Sequence, residues 1–294
     1  MVSLQQQLDR GVLVCPKSRT PLKWHGNVLV SEAGTAYAVT SQGVPVLLTD
    51  AAKAEQYARG SVQMTREYTD GAVQKKRSVA GRLKTFLNKD YRTKASRDAF
   101  DTVITSAPPD SLCLSIGGGP LRPDPKLVNL NIGPFPNVDI VGDAHQLPYQ
   151  CESVDAIYCE AVLEHLGTPP RAVEEMFRVL KPGGKVIAIT PFMQAFHGYP
   201  NHFQNFTVVG HSLIFTNAGF CVRESGTCVG PMFTFVDIGY VFIREYFPKL
   251  LSLPFRAVWK LLGACLVPLD LLLAHSKSSH VMASTTYVLA EKLG

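Results

Sequence analysis

A short apolar run followed at once by three glycines decides the fold of this chain: residues 112–120 read Leu-Cys-Leu-Ser-Ile-Gly-Gly-Gly-Pro. Because glycine has no Cβ, the backbone can turn sharply there and lie in contact with a ligand. In an open α/β sheet, ligands bind beyond the carboxyl ends of the strands. The stretch therefore predicts a ligand-binding turn at the end of a β-strand, although a glycine run by itself also occurs in plain turns.

Strand-length apolar runs alternate with helical stretches around and beyond this turn. Alternation of this kind is typical of a parallel sheet with crossover helices, so we predict an α/β fold. Only 11 residues separate Gly119 from Asn131, and three of them are Pro, so we expect the first crossover helix to be stunted. The predicted strands are 112–116, 127–132, 138–141, 155–158, 185–190, 220–224 and 282–290, and the predicted helices are 170–180 and 208–218.

Polar residues follow three more of the predicted strands. Asn131 ends the second strand, Asp143 follows the third, and Glu160 follows the fourth. The carboxyl ends of parallel strands meet at one edge of the sheet, so these groups and the glycine turn should lie together. An amide, two carboxylates and a close backbone approach suit the hydroxyls, the exocyclic amine and the charged tail of a nucleoside.

Five segments between residues 115 and 192 resemble, in order and spacing, the motifs of class I S-adenosylmethionine-dependent methyltransferases of the small-molecule type. They are IGGG, NLNIG, VGDAHQLP, SVDAIYCEAVLEHL and RVLKPGGKVIAITPF. The resemblance implies a Rossmann-like sheet and the cofactor S-adenosyl-L-methionine. It places the glycines under the methionine part, Asn131 at the ribose, Asp143 and Ala144 at the adenine, and Glu160 near the methionine end. The implied cofactor-binding residues are Ser115, Gly117, Gly118, Gly119, Asn131, Asp143, Ala144 and Glu160.

Two of these positions depart from the family pattern. Ser115 stands where the family usually has an acidic residue, and Asn131 stands where the second strand usually ends in Asp or Glu. A neutral amide makes weaker hydrogen bonds than a carboxylate, so we expect looser cofactor binding. The alternative is a scaffold of the same fold that has lost its cofactor.

Residues 1–50 form a separate predicted module of short β-runs. The module resembles the zinc-ribbon-like modules related to the methyltransferase activator Trm112, but Ser18, Val30 and Ala33 stand where three of the four thiols would be. A structural zinc site takes four ligands, so Cys15 alone cannot hold the metal. We expect a metal-free β-module that docks on the catalytic domain or on a partner subunit; a plain packing appendage is the alternative.

The candidate catalytic residues His197, Tyr199 and His202 lie in the segment after the fifth strand, where such enzymes place acceptor-binding residues. Methyl transfer depends mainly on alignment, and it needs a base only when the acceptor is protonated. An imidazole titrates near neutrality, so both histidines are candidates for base or acceptor orienter. The alternative is that they only tie the loop together. His165 is expected to be structural, and no metal ligands are predicted in this site.

The chain should divide into the module 1–50, a basic helical linker 51–107 and a methyltransferase domain 108–294. Inside that domain, residues 231–280 form an apolar helical insertion. We expect it to cap the acceptor pocket or to form a homodimer interface, and we rank peripheral membrane contact lower. The longest run without charge, 261–269, is nine residues, well short of the roughly 20 that cross a bilayer.

Charge is concentrated in residues 59–97, which hold eleven Lys and Arg against three acidic residues, while the whole chain has a net charge of +5. Clustered cations bind phosphates, so an RNA methyltransferase is the competing function. A solvated helical face and a receptor for an anionic small substrate are the other interpretations.

The composition, 46% hydrophobic and 18% charged over 294 residues, excludes collagen, coiled coil and wholesale disorder. Seven scattered cysteines and an N-terminus without a signal-peptide pattern favour the cytoplasm. We predict methyl transfer to an O, N or C atom of a small, hydrophobic metabolite, with nucleic acid not expected as a partner.

Overall fold

The computed structural model describes residues 1–51, 54–55, 90–120, 122–198 and 201–294. The strands are β1 Leu22–His25, β2 Val28–Ser31, β3 Ala36–Tyr37, β4 Val46–Leu47, β5 Cys113–Ile116, β6 Leu127–Asn131, β7 Ile140–Gly142, β8 Val154–Glu160, β9 Leu180–Pro191, β10 Cys221–Val229 and β11 Thr285–Glu291. The α-helices are α1 Leu4–Asp9, α2 Lys94–Phe100, α3 Pro169–Val179, α4 Val208–Asn217, α5 Pro231–Tyr246, α6 Lys249–Leu266 and α7 Asp270–Leu273.

The central sheet has eight strands in the order β10-β11-β9-β8-β5-β6-β7-β4. The strands from β4 to β9 pair in parallel, while β11 runs antiparallel to both β9 and β10. Every residue of β5 and β6 is buried, as expected for central strands covered on both faces. The predicted α/β fold with a mostly parallel, Rossmann-like sheet is confirmed.

The connection from β5 to β6 contains turns and bends but no helix within the residues described there, 117–120 and 122–126. The three prolines of this short connection account for the missing helix, because proline lacks the N–H that a helix interior needs. Arg122 holds the connection in place by donating to the Leu127 carbonyl oxygen at 2.7 Å and by pairing with Asp139 at 2.9 Å.

The N-terminal residues are packed into the main sheet. β1, β2 and β3 form a small antiparallel sheet, but β4 leaves it and pairs in parallel with β7 at the edge of the central sheet. Leu13, Leu22 and Leu29 are buried in the same core as Ile116. The module therefore lies against the domain of its own chain.

Residues 94–105 also belong to the packed core. α2 and the π-helical turn that follows it bury Ala99, Val103 and Ile104 against Cys113 and Leu127. The boundary predicted at residue 108 thus falls inside one packed unit. Most of the predicted basic linker lies outside the described residues.

The apolar insertion consists mainly of α5 and α6, which pack closely on each other. The Trp259 Nε1–H donates to the Val236 carbonyl oxygen at 2.8 Å, and a Cβ on Gly239 would lie 2.3 Å from Trp259 Cζ2. Arg256 donates to the Tyr240 hydroxyl at 2.8 Å, so one charge that interrupts the apolar sequence is tied to the partner helix.

The expectation that this region is too short to cross a membrane needs correction. The helical stretch Lys249–Leu273 is 25 residues long with a mean hydropathy of 1.6, and only 17% of its most apolar window is buried. By length and composition alone it could span a bilayer. The helix continues through Arg256 and Lys260, so the apolar segment is longer than the uncharged run 261–269.

Candidate active site

The glycine turn lies at the carboxyl end of β5. Gly117 and Gly119 have φ values of +74° and +55°, in the left-handed region that favours glycine. The Gly117 N–H donates to the Leu130 carbonyl oxygen at 2.8 Å, and the Asn129 side-chain amide donates to the Gly119 carbonyl oxygen at 2.8 Å. The turn is therefore fixed to β6 on both sides of Gly118.

The side chain that lies close to the Gly117 backbone is that of Val162. A Cβ on Gly117 would lie 2.1 Å from Cγ2 of Val162, in the segment that follows β8. Ser115, two residues earlier, is fully buried, and its hydroxyl has no hydrogen-bond partner among the described residues. The side chain of Ser115 is therefore buried in the core and does not reach the surface at the carboxyl edge of the sheet.

The next two strand ends carry their predicted groups to the same edge. Asn131 is buried, and its Oδ1 accepts the Gly133 N–H at 3.1 Å. The Asp143 carboxylate has 41% of its side chain exposed and contacts His145 Nδ1 at 2.8 Å. Ala144 is buried at the start of a short 3-10 helix. Asp143 is therefore the most accessible acceptor of this set.

Glu160, at the end of β8, is held by partners that the sequence did not indicate. Its Oε1 pairs with an Arg92 guanidinium nitrogen at 2.5 Å, and its Oε2 accepts the Tyr158 hydroxyl hydrogen. Burial alone would lower the pKa of Arg92, but the Glu160 charge outweighs it and raises that pKa. In the sequence, Arg92 is one of the cations of the basic stretch. It reaches the site because it pairs with Val229 of β10, a contact between distant segments that the local sequence does not predict.

The donor set along β5 to β8 fits S-adenosylmethionine. Left-handed glycines, a buried amide, a half-exposed carboxylate and a second carboxylate lie at successive strand ends of one sheet edge. Register places Ile116 opposite both Leu130 and Cys159, and Asn131 opposite Val141, so the ends of the four strands lie at the same edge. Polar groups that converge beyond the carboxyl ends of parallel strands are what a nucleoside ligand requires.

The predicted histidines meet beyond β8 and β9. The rings of His197 and His202 have centroids 4.2 Å apart, and His165 packs edge-on against His197 at 5.2 Å. His202 accepts the His197 backbone N–H at 3.2 Å and donates from Nε2 to the Asn205 side-chain oxygen at 2.6 Å. The third candidate, Tyr199, lies outside the described residues.

Glu164 is the site residue that sequence reasoning missed. It is fully buried, and neither carboxylate oxygen has a hydrogen-bond partner among the described residues. Burial raises the pKa of this carboxyl to about 7. His165 Nε2 lies 3.7 Å and His197 Nε2 lies 4.0 Å from Glu164 Oε1. The only sequence signal was a glutamate set between Leu163 and His165 in an otherwise apolar stretch.

These groups line a cavity of about 190 Å³ at the carboxyl ends of β8 and β9. Its wall includes Arg92, Glu160, Glu164, His197 and Phe233, so α5 of the insertion reaches the site. A larger and more open cavity of about 640 Å³ lies at the opposite, amino end of the strands, beside Leu112 and Lys181. Of the predicted catalytic residues, His197 lines the smaller cavity, which lies next to the glycine-turn edge.

Comparison with known proteins adds a family to this geometry. Residues 124–188 match Methyltransf_11, a methyltransferase domain. A demethylmenaquinone methyltransferase of Renibacterium salmoninarum is 43% identical over 53 residues, which are 18% of this chain and 22% of that protein. The matched stretch covers only 17%, 22% and 13% of three curated relatives.

Two further proteins are similar to parts of this chain. A UPF0434 protein of Vesicomyosocius okutanii is 49% identical over 43 residues, which are 14% of this chain and 71% of that protein. The solved complex of the Haloferax volcanii Trm112 methyltransferase activator with a methyltransferase aligns with 79% of this chain and 100% of its own chain, at 16% identity and a TM-score of 0.47.

A mostly parallel sheet with a glycine turn and polar strand ends, together with the family match, defines a class I methyltransferase domain. The chain contains a class I S-adenosylmethionine-dependent methyltransferase domain and, over 43 of its residues, belongs to the UPF0434 family.

Proposed function

We propose that this protein transfers a methyl group from S-adenosylmethionine to an O, N or C atom of a small, hydrophobic metabolite in the cytoplasm. The observation that carries the proposal is the cavity at the ends of β8 and β9, which adjoins the predicted cofactor edge and combines polar groups with apolar walls. Pockets of this kind, mainly apolar with a few directed polar groups, suit small organic ligands.

The cofactor would be held along the edge from β5 to β7. The backbone from Gly117 to Gly119 would lie next to the methionine part, on the side of Gly117 that Val162 leaves open, while Asn131 would face the ribose and Asp143 with Ala144 would face the adenine. When bound, S-adenosylmethionine supplies an electrophilic methyl group that carries its own driving force. The protein then has to align the acceptor, and alignment alone can provide a large part of the rate.

The acceptor would lie in the cavity between Arg92, Glu160 and the aromatic side chain of Phe233. Arg92 and Glu160 neutralise each other in part, and Asp90, Glu164 and His197 are the other ionisable groups on the cavity wall. A hydrophobic acceptor agrees with the demethylmenaquinone named for one relative, which matches only part of this chain.

The competing RNA function has little support in the described residues. Arg92 is paired with Glu160 inside the cavity, and Lys94 is paired with Asp98 on α2. Two of the three described cations of the basic stretch are thus paired with acids of the same chain, while Arg97 is exposed and the other eight lie outside the described residues. Binding to RNA that survives physiological salt would nevertheless favour that function over the metabolite proposal.

Binding of S-adenosylmethionine, measured by calorimetry, tests the proposal. We expect Asp143→Ala to weaken binding at least tenfold, because it removes the most accessible carboxylate of the edge. Asp110→Ala is the matched control, since Asp110 is exposed beside the cavity at the opposite edge. No heat at millimolar cofactor with a folded protein would overturn the enzyme and favour a cofactor-free scaffold.

We further propose that the hairpin of α5 and α6 rests on an anionic membrane surface, from which a hydrophobic acceptor would reach the cavity. Around the turn between the helices, Tyr246, Leu250 and Leu253 are 75%, 85% and 61% exposed. The two helices carry four Lys and Arg against two acids. Exposed apolar side chains with surplus basic charge are typical of helices that bind anionic interfaces.

Flotation with vesicles separates this arrangement from a homodimer. The protein should float with phosphatidylcholine vesicles that contain phosphatidylglycerol, and Leu250→Glu should abolish flotation. Leu213→Glu on α4 is the control, because Leu213 is also exposed, at 54%. A stable dimer by light scattering that Leu250→Glu dissociates, without flotation of the parent protein, would assign the hairpin to dimerisation instead.

A further inference from the structure

The side chains of Glu164, His165 and His197 bring one oxygen and two nitrogens to a common point. These three atoms all lie within 4.8 Å of one another. Zinc binds nitrogen and oxygen at about 2.0–2.2 Å, so two ligands of one tetrahedral ion are about 3.4 Å apart. The Glu164 oxygen is 3.7 Å from His165 Nε2 and 4.0 Å from His197 Nε2, so these two pairs would have to close by a few tenths of an ångström. The two histidine nitrogens lie within 4.8 Å of each other, so they would have to approach by up to about 1.4 Å.

Both histidines are oriented as metal ligands are. His165 Nδ1 donates to the Asn201 carbonyl oxygen at 2.5 Å, and His197 Nδ1 donates to the Ala195 carbonyl oxygen at 3.1 Å. A hydrogen bond from Nδ1 leaves the Nε2 lone pair available, and metal-bound histidines usually have such a bond to a carbonyl or carboxylate. In both residues this Nε2 is the atom near Glu164.

His202 lies against the same cluster but is not arranged as a ligand. Both of its ring nitrogens are engaged, one by the His197 backbone N–H and the other by Asn205. Its position fixes the backbone at His197, so it supports the cluster from outside. The distinction between His202 and the other two histidines rests on their hydrogen bonds and not on distance alone.

Glu164 supplies the second, independent sign of a ligand. A carboxylate with no exposed surface and no hydrogen-bond partner among the described residues is costly to bury, and buried charges are normally paired or bound to metal. Arg92, a cation on the wall of the same cavity, is paired with Glu160 and not with Glu164. A bound cation would satisfy the carboxylate.

We propose that Glu164, His165 and His197 bind one divalent transition-metal ion, zinc by ligand type, beside the acceptor cavity. Imidazole and carboxylate ligands suit zinc and its neighbours, and three protein ligands leave a coordination position open, as in catalytic zinc sites. Glu164 and His197 both line the cavity, so the open position faces it. This step rests on the proposed function: an acceptor oxygen would take the open coordination position. His197 would then be a metal ligand instead of a base.

Metal binding by the full chain, freed of metal with a chelator, tests the site without any assay of activity. Calorimetry with zinc should give one equivalent, and Co²⁺ should give visible absorption bands of a nitrogen and oxygen site. His197→Ala and Glu164→Gln should each weaken binding at least tenfold. His197 lies on a half-exposed loop, so its variant should stay folded, which circular dichroism checks. His280→Ala is the control, since His280 is exposed and outside the cluster.

Three results would overturn the site. They are the absence of binding, equal affinity in the parent and both variants, and a near-ultraviolet thiolate band with Co²⁺, which would move the metal to one of the seven free cysteines. Binding of S-adenosylmethionine measured with chelator present separates this outcome from the proposed function. Cofactor binding without metal binding would reject the metal site and leave the methyltransferase proposal standing.

Discussion

His211 is a histidine that burial keeps neutral. It is fully buried, burial lowers its pKa to about 3, and its Nδ1 lies 3.1 Å from the Thr286 hydroxyl. Below pH 6.5 the unfolded chain takes up a proton that the folded chain refuses, so stability falls as pH falls. By pH 5 the loss should reach about 2 kcal/mol. Urea unfolding of His211→Gln should show a flatter dependence between pH 6.5 and 4, and equal slopes would contradict the shifted pKa.

The residues of the site fall into two groups: those whose position follows from the local sequence, and those whose position depends on contacts between distant segments. Asn131, Asp143 and Glu160 could be placed from sequence because each follows a strand, and parallel strand ends must meet. Arg92 and Glu164 could not, because their roles come from packing between segments distant in sequence. The sequence predicts a close approach at Gly117 but not its partner Val162, which lies where a Cβ would be.

At the scale of the element, α5 depends on a cap from outside its own sequence. Gly230, which precedes the helix, makes no side-chain cap, and the buried Asp270 carboxylate accepts the N–H groups of Met232 at 2.9 Å and Phe233 at 2.8 Å. Asp270→Ala should therefore leave two helix donors unpaired and cost about 1–2 kcal/mol, measured by urea unfolding.

The Asp270→Asn variant keeps one accepting oxygen and should lose less stability than Asp270→Ala. An unchanged urea midpoint in both variants would mean that the helix start is satisfied by other groups. The sequence analysis predicts an apolar helical insertion, but this cap joins residues 38 positions apart and has no local sequence pattern. The same reason explains why β4 could be predicted as a strand but not assigned to the central sheet.

At the scale of the whole molecule, the N-terminal module and the sheet should unfold together. Leu29 of β2 is fully buried in the core that also contains Ile116 of β5. Leu29→Ala should therefore destabilise the whole chain by about 2–5 kcal/mol in one transition, followed by near-ultraviolet circular dichroism. Leu250→Ala, at an 85% exposed position, is the control. A separate early transition confined to the module would show that the two parts are independent.

The pairing of β4 with β7 gives the leading segment a purpose that does not depend on zinc. Without those two residues, β7 would be the edge strand of the sheet. Its unpaired N–H and C=O groups could then pair with a strand of another polypeptide. A flank of only two paired residues is a poor template for such growth. Residues 1–50 thereby cover the β7 edge of the central sheet. Cys15, which is hydrogen-bonded to the Tyr37 hydroxyl at 3.0 Å, can serve in this module as a buried packing residue.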